Sequence, residues 1–411
     1  MAASSGNPAE LAIPRQAILL GVAVFSFAAG TNILTPLLPA VQDEFGVSIT
    51  TAGLIVGAYG LARLIVDLPA GYVADRVGHR RLALASTVLL VLSSLVGWAA
   101  ASVEVLIAAR IGSGAAVAAL GMVGISALAA TASVANRGRV MSMFHLANNF
   151  GIACYPLVGG VVGAIGGWRP TFLITAALAL VAGAILFTLL PRIEFGHSAG
   201  GRAGRHDETR VLHGPARTRA VVATNLGIVA NMIHRHGVRN TIVPLYAATA
   251  LGLGGISIAT AIALMALSGL LVATPGGMLG DRVGRRRVIV SGLAAVAVGD
   301  LAFILTNDAL TFLLVAAVVG LGDFFSSSQT ALLSEIVPVR ERTRALSTFR
   351  FSSDLGSMIG PILLAAAMDA VSAQFAIVLA AAILGGSALT AYLFVPARVD
   401  RGEETQPQAA A

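Results

Sequence analysis

The sequence predicts an all-α membrane protein of twelve transmembrane helices in two pseudo-symmetric six-helix bundles, and three observations carry that prediction. Hydrophobic residues make up 56% of the 411-residue chain against 11% charged, with a mean hydropathy of +0.85, a balance foreign to soluble globular domains. Twelve apolar runs are long enough to cross roughly 30 Å of hydrocarbon. They lie near 16–40, 50–72, 82–101, 103–132, 140–164, 170–190, 220–249, 255–279, 287–306, 309–334, 345–368 and 373–396. Finally, Gly71-Tyr-Val-Ala-Asp75-Arg76-Val-Gly78-His79-Arg80-Arg81 recurs about 206 residues later as Gly277-Met-Leu-Gly-Asp281-Arg282-Val-Gly284-Arg285-Arg286-Arg287, and a proline (Pro69, Pro275) stands two residues before each copy. A repeat at that offset marks two related halves.

The expected division is 1–190 for the first bundle, 191–219 for a cytoplasmic linker, and 220–411 for the second bundle with a short cytoplasmic tail. Residues 1–14 lack a basic leader and the first apolar run is too long for a signal-peptide core, so that run is read as a true span. All 27 basic residues are arginine, which excludes a Gly-Lys-Ser/Thr phosphate loop and a lysine Schiff base. With both termini cytoplasmic, 21 arginines fall in cytoplasmic segments, Arg169 falls outside and five lie within spans. The net charge of +7 therefore reflects topology in a plasma (bacterial inner) membrane, with the lipid bilayer as partner and no nucleic acid. Cys154 is the sole cysteine, so no intrachain disulfide forms. His197, His206 and His213 are spaced too widely in the linker for a metal site; no metal or cofactor is expected.

The first span holds Asn32 and ends in Thr35-Pro36-Leu37-Leu38-Pro39, where two prolines bend the helix and free backbone carbonyls. A loop at Gln42–Gly46 is expected next. In the second span Arg63 and Asp67 lie one turn apart and can pair. The fourth brings in Arg110; an arginine facing lipid costs roughly 3 kcal/mol or more, so it either faces a cavity or snorkels to the outer surface. The fifth carries His145, Asn148 and Asn149, followed by an outer turn at Gly166-Gly167-Trp168-Arg169-Pro170 with an interfacial tryptophan.

The seventh run is unusual, with Asn231-Met-Ile-His234-Arg235-His236-Gly237-Val238-Arg239-Asn240 at its middle. Arg235 and Arg239 would share a helical face, with His236 and Asn240 on the adjoining one and a helix break at Gly237; the other reading is a loop. Asp300 and Asp323 stand in the ninth and tenth spans. The eleventh repeats the entrance of the fifth about 205 residues on, matching His145 to Arg350 and Asn149 to Asp354, and Arg350 is one turn from Asp354, where a static pair is possible. Most of these groups could not face lipid, and they come from both halves, so a central cavity is the economical placement.

The spacing Gly-x-x-x-Asp-Arg-x-Gly-x-Arg-Arg resembles the loop between the second and third helices of the major facilitator superfamily, and the second copy resembles its second-half counterpart. Leu106-x-x-x-Arg110-x-x-Ser113-Gly114 is similar to the superfamily's fourth-helix motif, with serine where glutamine is usual. Gly151-x-x-x-Tyr155-Pro156-x-x-Gly159-Gly160 resembles the fifth-helix pattern of its antiporters, with Tyr155 in place of a glycine, so that Tyr155 either narrows the helix contact or lines the pathway. Pro36-x-x-Pro39 resembles a motif of its drug:proton antiporters.

The resemblance implies a monomeric transporter without enzymatic activity. Its loops, Gly71, Asp75, Arg76, Gly78, Arg80 and Gly277, Asp281, Arg282, Gly284, Arg286, would gate a central site. Substrate is expected at Asn32, Arg110, His145, Asn148, Asn149, Arg235, His236 and Arg239, and protons at Asp323, Arg350 and Asp354. The expected activity is proton-coupled export of small organic molecules, anionic or drug-like, by alternating access. Proton-driven uptake of a small organic acid and a non-transporting sensor on the same scaffold are the alternatives.

Overall fold

A computed structural model describes residues 13–133, 136–193, 212, 214–338 and 341–396, and every regular element among them is helical. The first six helices are α1 (Arg15–Phe45), α2 (Ile49–Val77), α3 (His79–Trp98), α4 (Val103–Thr131), α5 (Arg137–Gly166) and α6 (Pro170–Leu189). The second six are α7 (214–249), α8 (Gly255–Val283), α9 (Arg285–Ala302), α10 (Ala309–Ile336), α11 (Arg342–Ala370) and α12 (Ala373–Phe394). Eleven are long and apolar enough to cross a membrane, and α7 is the twelfth, held below that measure by its polar middle.

Local chemistry explains the boundaries. Ser48, Asp308 and Ser372 cap α2, α10 and α12 by accepting backbone N–H groups of the first turn. Gly78 and Gly284 take φ of 92° and 97° in the two duplicated loops, a region that side chains resist. Pro36 and Pro39 remove donors, and α1 tightens into a 3₁₀ turn at Thr35–Leu37 before resuming at Leu38–Phe45. Helix thus covers most of the loop expected at Gln42–Gly46, ending at the left-handed Gly46.

The seventh span also departs from expectation. It begins at Gly214, inside the expected linker, and contains neither a loop nor a break at Gly237: Ile233–Ile242 is a π-helix joining two α-helical segments. Residues 194–211 and 213, with His197, His206 and His213, lie outside the described residues.

Leu20, Phe27, Leu120 and Leu128 centre one apolar core within α1–α6. Phe303 and Phe312 centre a second, and Phe325 and Leu332 a third, both built mainly from α7–α12. The two sets of six meet along α2 with α11 and α5 with α8. Backbones nearly touch on these seams: a Cβ on Gly53 would fall 2.4 Å from Ala365 Cβ, and one on Gly160 2.5 Å from Ala259 Cβ. Only glycine permits such an approach.

Thr50 Oγ1 donates to Asp369 Oδ2 at 2.8 Å across the first seam. These contacts lie towards the end opposite the arginine loops, so the sets close against each other there. At that end Glu44 accepts from Trp168 Nε1 (2.6 Å) and pairs with Arg169, whose Nη2 donates to Ala100 O (3.0 Å). Trp168 is therefore buried beside Phe45 and Phe172 instead of facing an interface, because Glu44 satisfies its indole N–H.

Candidate functional site: a central arginine cluster

The π-helical turn of α7 sets the site. The π-helical segment Ile233–Ile242 carries both Arg235 and Arg239, and both side chains line one cleft. Arg235 Nε donates to Asp323 Oδ2 at 2.9 Å, and Nη2 bonds the same oxygen. Asp323 is presented by a 3₁₀ turn, Asp323–Phe325, that interrupts α10. Buried Arg239 donates from Nε to Asn240 Oδ1 (3.3 Å), and Asn240 Nδ2 donates to Asn32 Oδ1 (3.2 Å), tying α7 to α1. Arg235, Arg239 and Asp323 line a cleft with Asn149, Ser326 and Met265. Half-buried His236 sits in the field of Arg239, Arg63, Arg235 and Arg110.

Arg63 pairs with Asp67 at 3.5 Å, as the helical spacing predicts, and also reaches Asp354 at 3.7 Å from across the α2–α11 seam. The expected Arg350–Asp354 pair does not form. Asp354 is buried on the seam, where Arg63 approaches it, whereas Arg350 is exposed and within electrostatic reach of its symmetry counterpart His145, also exposed. Asn148 is partly buried, and only Asn149 of the two asparagines reaches the cleft.

Arg110 is 5% exposed and does not snorkel. Its guanidinium donates to Gly30 O (2.9 Å) and Thr31 O (3.3 Å) and lies 4.7 Å from the Tyr59 ring. Where α1 breaks towards its prolines, carbonyls lose their helical donors, and Arg110 supplies replacements. Arg63 and Arg235 thus reach the carboxylates of Asp67, Asp354 and Asp323, whereas Arg110 and Arg239 donate to carbonyl and amide oxygens.

Asp300, expected among the cavity groups, is elsewhere: it is fully buried with His234, 3.0 Å away. Tyr155 packs its ring 5.0 Å from Phe25, filling the α1–α5 contact and not the cleft.

The duplicated loops differ in their partners. Arg285 Nη2 bridges Asp281 Oδ1 (2.5 Å) and Glu335 Oε1 (3.1 Å), locking the second loop to the end of α10, while Arg286 lies over Tyr392. In the first loop Arg76 stacks on Tyr72 and Arg80 on Phe187. Sequence reasoning missed Arg285 and Glu335; the signal was His79, which occupies the position of Arg285 in the first copy.

The family model described as "Major Facilitator Superfamily" matches residues 20–234 and 226–411. An uncharacterized MFS-type transporter of Methanocaldococcus jannaschii is 24% identical over 354 residues, 85% of this chain and 90% of that protein. A chloramphenicol resistance protein of Streptomyces lividans is 27% identical over 68% of this chain and 70% of its own. A cephamycin export protein of Amycolatopsis lactamdurans is 30% identical over 44% of this chain and 37% of its own. Among solved structures, a bacterial homolog of the human lysosomal transporter Spinster, inward-facing and unoccupied, superposes with a TM-score of 0.76 at 14% identity, over 93% of this chain and 96% of that one. Two successive matches of one family model cover all but the first residues: the chain belongs to the Major Facilitator Superfamily of transporters.

Proposed function

We propose that the chain exports small organic molecules in exchange for protons, with residues 1–190 and 220–411 rocking about the arginine cluster, both termini cytoplasmic, and a monomer as the working unit. The observation that carries this reading is the Arg235–Asp323 pair lining the cleft beside Arg239. A carboxylate held by an arginine can trade that partner for a proton, and the freed arginine can take substrate. Among the described residues Arg239 has no carboxylate within ion-pair distance, which favours an organic anion or zwitterion. The cephamycin export and chloramphenicol resistance relatives favour export. The seams closed at one end, built on glycine, are surfaces that can part and re-form.

The test is flux in proteoliposomes under an imposed pH gradient, with chloramphenicol and a cephamycin as probes. Uphill export should vanish in Asp323→Asn while downhill exchange survives. Accumulation in the opposite direction would establish uptake by symport, and binding without flux would establish a sensor. Either result overturns the proposal.

A further inference from the structure

His234 and Asp300 form a second ionisable pair that the cleft does not use. Their side chains are 4% and 0% exposed between α7 and α9, and among the described residues Asp300 Oδ1 has no partner. Asn231, three residues before His234, is fully buried with neither amide atom partnered. Four residues further back, a Cβ on Gly227 would fall 2.7 Å from Gln329 Nε2, and Gln329 is likewise fully buried with both amide atoms unpartnered. Residues 227, 231 and 234 share one face of α7 and span about 10 Å. Ser328, also buried and unpartnered, faces Gly280 beside Arg285 at the arginine-loop end.

Among the described residues, six polar atoms without partners therefore lie between the arginine-loop side and the pair: Ser328 Oγ, two of Gln329, two of Asn231, and Asp300 Oδ1. Buried amides and carboxylates are rarely left unpaired, and internal water is what binds such unsatisfied donors and acceptors. Among the described residues, helices α8, α10 and α12 bring no further charge to Asp300, and the charged group acting on it is His234. Ser387 of α12 is spent on Leu226 O, and Asp323 of α10 is held by Arg235.

We propose that His234–Asp300 is a proton-holding site distinct from the substrate cleft, reached from the arginine-loop end by water bound along Ser328, Gln329 and Asn231. This assignment rests on the proton-coupled reading above and deepens it. One proton, delivered by water near Asn231, takes the pair from a neutral imidazole whose Nδ1–H donates to the Oδ2 of a carboxylate, net −1, to net zero, and is taken up at His234 Nε2 or at the unpartnered Asp300 Oδ1; it leaves by the same route. His234 precedes Arg235 in the π-helix, so a change of charge and hydrogen bonding at the pair acts on the root of the Arg235–Asp323 contact. Rare π-helical segments recur at functional sites for this kind of adjustment.

The test is infrared difference spectroscopy of the full chain in liposomes, stepped across about pH 5 to pH 8, the window in which an unperturbed imidazole changes charge. Bands of the Asp300 carboxyl and the His234 ring, identified by their loss in Asp300→Asn and His234→Gln, are expected to titrate. Their hydrogen–deuterium exchange should slow at least tenfold in Asn231→Leu and Gln329→Leu. Either dyad variant suffices for the identification if the other does not fold. Absence of any titrating band overturns the site, and unchanged exchange in both leucine variants overturns the water route. Proton-coupled chloramphenicol export that persists in both dyad variants overturns the coupling role and leaves the reading of proton-coupled export intact. Titrating bands in a wild type that moves no protons leave the site standing and overturn that reading instead.

Discussion

Gly53→Val should open the end of the molecule that is closed in this structure. A Cβ there would stand 2.4 Å from Ala365 Cβ and 2.6 Å from Pro361 O, against an ordinary contact of about 3.4 Å or more, so α2 and α11 must separate by about 1 Å. Neither neighbour can rotate away, because one is a methyl on the backbone and the other a backbone carbonyl. Overpacking of this kind costs roughly 1–3 kcal/mol. At 1.4 kcal/mol per factor of ten, the equilibrium shifts roughly 5- to 150-fold towards states in which the seam is open. Cys154→Ser provides a cysteine-free background, and a cysteine at Thr50, which sits on the seam opposite Asp369, reports access to a membrane-impermeant maleimide. Labelling should accelerate by a factor within that range in Gly53→Val and fall back in Gly53→Ala only as far as the methyl can be absorbed. An unchanged labelling rate in a folded, correctly inserted Gly53→Val protein would refute the idea that this seam opens and closes.

Three further outcomes are expected. Arg110→Lys should lower transport and thermal stability together, since an ammonium cannot serve the Gly30 and Thr31 carbonyls and the Tyr59 ring as a planar guanidinium does; flux and melting measurements check this. Gly284→Ala should destabilise the second loop by about 1 kcal/mol, because φ of 97° is strained for alanine, and slow turnover more than binding; comparing turnover with probe affinity checks it. Asp308→Asn should lower the melting temperature in a pH-dependent way. Hydrogen bonds from the Thr311 N–H first, and also from Leu310 N–H, hold the Asp308 carboxyl below the usual carboxylate range. A depressed folded-state value makes the contribution full above that range and lost as the pH falls through it, so melting curves of Asp308→Asn and wild type should converge in acid.

The membrane class, the twofold repeat and the identity of most charged groups follow from the sequence, because hydrophobic length, arginine placement and repeat offset are properties of the chain alone. The Arg63–Asp67 pair was legible for the same reason: helical spacing is local. Partners across helices were not. Sequence distance gives no hint that Asp354 meets Arg63 rather than Arg350, or that Asp300 meets His234, since helix rotation about its axis decides which face a residue presents.

The π-helix over Ile233–Ile242 was equally hidden: hydrophobic periodicity separates helix from strand, but a local widening of the turn costs little and is settled by what the side chains find around them. Composition and repeat thus determined that two six-helix units cross a bilayer and carry buried charge. Only the packing of α2 on α11 and of α7 against α9, α10 and α1 decided which charges neutralise one another, because in an apolar medium an ion is stable only beside the partner that tertiary contact supplies.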